Sequence, residues 1–260
     1  SLKKSVENSD KVIGYINIDP NIIKSTSYGF KKTEKFRIKF LLESISDLKK
    51  QLDRINISLV VKNEDLKSSI NSVISKYKID NIYIQKEWTR DELLEEENIP
   101  SNVNLIKDFD QFLFSPSDVS GVYENIPRGF SNFRKKCEKL LSIDDIVPSP
   151  KPLSKTNLIN EEYSIPSLSE LGYEEFEVHK DSAFKFLGGE THGIDRVNEY
   201  FFESKNLSKY KLTRNGLLGK DYSSKISSWL ANGSLSVKYV YSQIKNYENT
   251  VEKNDSTYWL

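Results

Sequence analysis

The sequence predicts an α/β protein: an N-terminal parallel-sheet domain of Rossmann-like type, followed by the start of an all-helical region. Short β-branched runs alternate with long amphipathic segments through the first half of the chain. A proline- and serine-rich stretch without periodicity then interrupts the alternation. Beyond it, the apolar residues recur at helical spacing.

Each element has its own signal. Val12–Ile18 (VIGYINI) is short and β-branched, and Asp19-Pro20 stops it. Thr33–Arg54 reads as a long helix, with Phe36, Phe40, Leu41, Ile45, Leu48 and Leu52 near helical spacing. Ile57–Val61 is the next strand. Leu66, Ile70, Val73, Ile74 and Tyr77 mark a second amphipathic helix, and Ile82–Ile84 and Val103–Ile106 are further strands. Asn132–Leu141 predicts a helix rich in Lys and Arg. From Ser142 to about Glu175 the prolines 148, 150, 152 and 166 fall among serines and charges, as in a long connection. Ile194, Val197, Tyr200 and Phe201 then line one helix face. Ser223-Ser224 are placed to cap a helix running to Asn232, with Gly233 as its left-handed stop, and Ser236 to cap the next, Val237 to about Tyr247. The organisation read from this is residues 1–142 as the α/β domain, 143–182 as a linker, and 183–260 as helical.

Bulk properties narrow the function classes. At 260 residues, 37% hydrophobic and 29% charged, the chain is long enough for two domains with ordinary cores. Lys+Arg and Asp+Glu are both 38, so any nucleic-acid contact must come from a local patch. A single cysteine, Cys137, excludes an internal disulfide and fits a reducing compartment, hence a cytoplasmic location. No apolar run approaches the roughly 18 residues of a membrane span, so no membrane partner is expected. The chain contains no methionine and ends on STYWL without a helix-stop signal, so an internal piece of a longer protein is expected.

The densest chemistry lies in DYSSKISSWLANGSLS, where serine hydroxyls and a lysine surround a predicted helix start. A helix start exposes unpaired N–H groups and a partial positive charge, which suits a phosphate. Capping alone explains one or two of Ser223, Ser224 and Ser227, and a phosphate site explains all three with Lys225, Tyr210 and Arg214 close upstream. Elsewhere, His179 and His192 have no paired nucleophile, and with one cysteine they form no metal set. Cys137 sits beside Arg134, Lys135 and Lys136, and reads as a helical cysteine. Glu92, Glu95, Glu96 and Glu97 read as solvated surface. There is no Walker-type loop and no Rossmann glycine fingerprint.

The segment FKFLGGETHGIDRVNEYFFESKNLSKYKLTRNGLLGKDYSSKISSWLANGSLSVKYVYSQIKNYE closely resembles the photolyase/cryptochrome family, and its cryptochrome DASH branch in particular. TRNGLLGKDYSSKISSWLANGSLS and NDSTYW are the specific parts. YGFKKTEKFRIKFLLESISDLKKQL resembles the long helix of the family's α/β domain, and FLFSPSDVSGVYENIPRGFSNFRKKCE the segment closing that domain. The likeness covers nearly the whole chain.

The resemblance implies an α/β domain able to hold an antenna, usually 5,10-methenyltetrahydrofolate, and a helical domain binding FAD. Carried over residue by residue, Tyr210 lies near the FAD phosphates, and Ser223, Ser224, Lys225, Ile226 and Ser227 wrap the diphosphate. Trp259 contacts the flavin nucleotide, Arg214 lies near a DNA backbone, and Glu87 hydrogen-bonds the folate. The implied activity is light-driven electron transfer from reduced FAD to a cyclobutane pyrimidine dimer, preferably in single-stranded DNA, by a monomeric protein. The alternative is a light-sensing regulator that binds FAD and nucleic acid without repair. A third reading is an α/β nucleotide-binding module with a helical appendage. The sequence departs from the family pattern in lacking a first strand, which would lie in the middle of the sheet, so unpaired strand edges are expected. It also lacks the later half of the helical domain, so the chain alone is expected not to hold FAD stably.

Overall fold

A computed structural model describes residues 1–260. Its first half is an alternating α/β arrangement: α1 (Leu2–Glu7), β1 (Gly14–Asn17), α2 (Lys35–Arg54), β2 (Leu59–Lys62), α3 (Leu66–Tyr77), β3 (Asn81–Gln85), α4 (Arg90–Glu96) and β4 (Asn104–Asp108). Two short helices, α5 (Pro116–Val122) and α6 (Phe130–Leu140), close it. The alternation expected from the sequence is present, and α3 has the bounds its apolar spacing predicts. Asp65 caps α3 by accepting the Ser68 amide at 3.0 Å, and Lys78, left-handed at φ +53°, ends it. None of the helices is long and apolar enough to cross a membrane.

The strands pair as β1 with β2 and β3 with β4, both parallel. The β1–β2 ladder aligns Gly14 with Leu59 and Asn17 with Lys62, and the β3–β4 ladder aligns Asn81 with Asn104. The two ladders are not hydrogen-bonded to each other. The unpaired edges expected from the sequence are therefore the inner edges of β1 and β3. Between them lies a cavity of about 280 Å³.

The core sets the layers. Ile38, Leu42, Ile45 and Leu52 of α2 pack on Leu59 and Val61 of β2, on Ile57 just before it and on Ile18. Phe36 and Leu48, which share the predicted apolar face, stay exposed. Phe40 turns to the helical half instead, 5.7 Å from the Trp229 ring and 5.8 Å from Phe184. Residues 143–182 form almost no regular structure, but they are not slack. Leu168, Leu171 and Tyr173 belong to the α/β core, and the Tyr173 hydroxyl donates to the Thr33 carbonyl. Asn157 is the pin: it accepts the Val12 amide at 2.8 Å and donates to the carbonyls of Val12 (2.9 Å) and Asn56 (2.7 Å).

The helical half comprises α7 (Glu190–Asn198), continued by a π-helical turn Glu199–Glu203, then α8 (Tyr210–Thr213), α9 (Ser227–Ala231), α10 (Val237–Thr250) and α11 (Asp255–Trp259). Ser236 caps α10 through the Tyr239 amide, and Gly233 is left-handed at φ +76°, both as expected. The cap expected from Ser223-Ser224 is absent: α9 begins only at Ser227, its N-cap is Ile226, and no side chain caps it. The cause is Lys225, whose φ of +62° interrupts the chain before the helix can start.

The halves are joined along α2. The Glu43 carboxylate accepts the Gly188 amide at 2.8 Å, and Asp47 accepts the Thr191 amide (3.0 Å) and hydroxyl (2.8 Å), capping α7 from outside its own chain segment. A Cβ on Gly188 would fall 2.1 Å from the Phe40 carbonyl, so only glycine allows this approach. Asn157→Ala is expected to destabilise the fold by about 2–4 kcal/mol, because it strands buried backbone groups of Val12 and Asn56; urea unfolding followed by circular dichroism measures it.

Candidate functional site

The site is built around a buried arginine. Arg196 lies on α7 among Val197, Tyr200 and Phe201, and is 1% exposed. Its guanidinium has five N–H donors, and each finds an acceptor. Nε donates to the Ser224 carbonyl at 3.0 Å, and Nη2 to the carbonyls of Lys220 (2.9 Å) and Ser223 (3.2 Å). Nη1 donates to Glu199 Oε2 (2.8 Å) and Asp221 Oδ1 (3.2 Å). The rings of Phe186 and Tyr200 flank it, with centroids at 4.8 and 5.0 Å. A buried cation is tolerated only when paired and fully hydrogen-bonded, and Arg196 meets that condition.

This clamp dictates where the neighbouring amides point. In a trans peptide, a carbonyl and the following N–H face opposite ways. With the Ser223 and Ser224 carbonyls drawn to Arg196, the Ser224 and Lys225 amides face away from it. Lys225 is left-handed (φ +62°) and Ile226 right-handed (φ −78°, ψ −8°). Successive residues of opposite hand form a nest whose N–H groups converge on an anion. The amides of Lys225, Ile226, Ser227 and Ser228 meet no acceptor within the chain, and neither do the hydroxyls of Ser223, Ser224 and Ser227. Ser224 and Ile226 are buried, Ser223 and Lys225 half-buried, and Ser227 exposed.

The Lys225 side chain behaves differently from its backbone. Its ammonium sits 3.4 Å from the Tyr222 ring centroid, a cation–π contact on the rim of the turn. Two further polar atoms are buried without partners, Tyr200 Oη and Trp229 Nε1. Burial pushes the Tyr200 hydroxyl up to about 12, so it stays a neutral donor.

The other residues expected at the site fall into two groups. Tyr210 packs half-buried on the same core as Ile226 and Trp229. Gly216 abuts Tyr222, where a Cβ would lie 2.9 Å from the Tyr222 Cβ, so the 210–216 segment runs beside the turn. Arg214 stacks on Trp259 with its guanidinium 4.6 Å from the ring, and Lys211 Nζ lies 5.9 Å from the same ring. Asn254 closes a capping box on α11 and so holds Trp259 in place. Glu87 is elsewhere. It lies past the end of β3, where its Oε1 accepts from Gln85 at 2.5 Å and its Oε2 from Gln111 at 3.4 Å. Beside it, Trp88 stacks on Phe109 (5.1 Å) and leans on Phe112 (5.0 Å), and all three are exposed.

Sequence reasoning missed Arg196, Glu199 and Asp221, which hold the turn from behind. The available signal was a charged residue within the buried stripe Ile194, Val197, Tyr200 and Phe201.

Arg196→Gln is expected to cost about 3 kcal/mol or more, because it leaves buried carbonyls and carboxylates unpaired; chemical unfolding measures it. The clamp also has a pH signature. Burial alone would raise the Glu199 carboxyl, but hydrogen bonds from Lys220 and Arg196 outweigh it and hold the group below the usual carboxylate range. A carboxyl depressed in the fold contributes fully above its unfolded value of about 4.3 and loses that contribution as pH falls through the lower folded value. Glu199→Gln should therefore flatten the acid limb of a stability–pH profile below about pH 4.3.

Residues 1–153 match the DNA photolyase family. Cryptochrome DASH of Gloeobacter violaceus is 36% identical over 264 residues, covering 100% of this chain and 53% of that protein. Cryptochrome DASH of a Synechocystis species is 34% identical, covering 93% of this chain and 50% of that one. The crystal structure of a Synechocystis cryptochrome superimposes with a TM-score of 0.91 at 31% identity, over 99% of this chain and 54% of the other. The fold is also shared with a class III photolyase of Agrobacterium tumefaciens, at a TM-score of 0.71 and 18% identity. The chain thus spans about half the length of the relatives it matches.

Proposed function

Because this chain belongs to the DNA photolyase family and resembles its cryptochrome DASH members, we propose that its 222–227 turn clamps the diphosphate of FAD in a blue-light flavoprotein. The observation that carries the reading is the run of four unpaired amides, Lys225 to Ser228, starting at a left-handed residue and beside unengaged serine hydroxyls.

The residues fit that group. Backbone N–H groups and the hydroxyls of Ser223, Ser224 and Ser227 supply donors for phosphate oxygens, as anion sites at helix starts require. Lys225 adds positive charge from the rim while stacked on Tyr222. Tyr210 and Tyr200 offer phenolic donors on the inner side, and the Trp229 indole N–H faces an environment still lacking an acceptor. Trp259 presents a ring face beside Arg214. When bound, the flavin supplies light absorption and one-electron chemistry, and the protein supplies position and electrostatics.

The reaction served is the splitting of cyclobutane pyrimidine dimers in single-stranded DNA, where exposing the lesion costs least. Arg214 and Lys211, exposed and stacked on Trp259, supply a local positive patch for the phosphate backbone in a chain of zero net charge. Glu87, with the exposed Trp88–Phe109–Phe112 stack, is the proposed seat of a methenyltetrahydrofolate antenna: the rings take a flat heterocycle and the carboxylate takes its N–H donors.

Fluorescence titration of the protein carrying this chain distinguishes the backbone nest from a simple charge. FAD should bind at least tenfold more tightly than riboflavin, which lacks the diphosphate. Lys225→Gly keeps the left-handed turn and should hold FAD within about threefold, whereas Lys225→Pro forbids positive φ and should abolish the difference. Equal affinity for FAD and riboflavin would refute the assignment. The proposed reaction is tested by blue-light repair of a dimer-bearing oligonucleotide by the protein carrying this chain, single-stranded against double-stranded, with a dark control. Light-dependent loss of dimers from the single strand is expected; flavin binding without any dimer loss would favour the sensor reading.

A further inference from the structure

We propose that the cavity between α2, the start of α7 and the 232–234 turn binds a small organic ammonium ion, a positive nitrogen on a compact apolar body. The cavity shares no residue with the 222–227 turn, so the two readings stand or fall separately.

The cavity follows from the way α2 is shared between the two halves. Leu41, Ile45 and Leu48 recur at helical spacing, so they lie along one face of α2. With Ile16 of β1 they floor a space of about 240 Å³. Ile45 is buried and Leu41 half-buried, whereas Leu48 is 40% exposed. As the outer lip of an apolar floor, Leu48 has a reason for that exposure. The rim is polar: Asp47 and Gln51 from α2, Glu190 from α7, and Asn232 and Ser234 from the turn. Its walls are already fixed. Asn232 Nδ2 donates to Ser44 Oγ of α2 at 3.0 Å, and Asn232 Oδ1 accepts the Ser234 amide at 3.0 Å. Gln51 Nε2 donates to Thr191 Oγ1 at 3.0 Å, and Asp47 accepts the Thr191 amide and hydroxyl. Walls set in advance lower the cost of ordering on binding.

The charge selects the occupant. Two carboxylates, Asp47 and Glu190, share the rim, and no lysine, arginine or histidine lines the cavity. Thr191 occupies one lone pair on each Asp47 oxygen and leaves others free. Glu190 has neither donor nor cation. Partial burial, and then the charge of Asp47, hold its carboxyl above the usual carboxylate range. Tyr239 of α10 is the other titratable group that feels Glu190. Burial and that same charge push its hydroxyl up, so it stays neutral and does not compensate. A cation at the mouth relieves the repulsion between the two carboxylates. A hard divalent metal needs six or more oxygens, and an aliphatic floor supplies none; no group of three metal-ligating side chains occurs in the chain. An ammonium needs only three acceptors, and Glu190, Asp47 and the Ser234 hydroxyl ring the mouth. Its carbon body then covers the leucines. Sites for drug-sized molecules measure roughly 300–1,000 Å³, so this one takes a single ring or a short branched chain. Because the rim belongs to both α2 and α7, an occupant also fastens the joint between the halves.

The test is a nitrogen–proton amide spectrum of the protein carrying this chain, titrated with phenethylamine. Phenethyl alcohol supplies the same body without the charge, and methylammonium the charge without the body. Saturable one-to-one binding is expected, with the largest shifts at the amides of Asp47, Leu48, Glu190, Thr191 and Gly233, and with both controls at least tenfold weaker. Glu190→Gln, checked for its fold by circular dichroism, should weaken phenethylamine at least tenfold. Leu48→Ala should weaken it several-fold and leave methylammonium unchanged. Equal binding of the alcohol, undiminished binding to Glu190→Gln, shifts confined to other surfaces, or no saturable binding at millimolar amine would overturn the assignment. So would displacement of the amine by an equal concentration of magnesium, which would mark a metal site instead.

Discussion

Arg196 is the side chain on which the arrangement of the candidate site depends. Three of its five bonds draw the carbonyls of Lys220, Ser223 and Ser224 to one side. Peptide planarity then sends the following amides to the other side. The positive charge of the site is therefore presented largely by the backbone, as partial charges on fixed N–H groups. Such donors lose no side-chain entropy on binding, whereas a lysine must be immobilised. The left-handed Lys225 is the local strain this geometry requires, a conformation that costs a non-glycine residue of order 1 kcal/mol.

A clamp of this kind works only if α7 itself is fixed. α7 is fixed by α2, a helix of the other half of the molecule. Asp47 caps its first turn, Glu43 holds Gly188, and Phe40 enters the aromatic cluster of Phe184, Phe186 and Trp229. The same helix buries Ile38, Ile45 and Leu52 in the α/β core. One element thus serves two cores, and the divided apolar pattern on α2 follows from that. Residues 143–182 reinforce the join through Asn157 and Tyr173, so their lack of regular structure does not make them loose.

Much of this was legible in the sequence. Strands β1 to β4 and helices α2, α3, α6 and α10 follow from periodicity, because each buries a face of adequate length. Helices α1, α4, α5 and α11 were not legible, since five to seven residues give too few turns for a period to register. The helix-start reading of Ser223-Ser224 failed for a specific reason: a positive φ at Lys225 carries no side-chain signature, and serine there serves a turn as readily as a cap. The grouping of Tyr210, Ser223–Ser227, Arg214 and Trp259 came from the family resemblance, and the fold brings the segments carrying them side by side. The means of holding the turn was legible only as a charged residue, Arg196, within a buried stripe; its partners Asp221 and the Ser224 carbonyl lie more than 20 positions away and meet it only in space.

The claim that fixed amides form the anion site is tested most directly by a nitrogen–proton amide spectrum of the chain during titration with ADP, which carries the diphosphate without the flavin. The account predicts that the largest shifts fall on the amides of Lys225, Ile226, Ser227 and Ser228, that adenosine does not reproduce them, and that Arg196→Gln removes them. Shifts confined to the exposed lysines and arginines of 209–220, with the 225–228 amides unmoved, would contradict it.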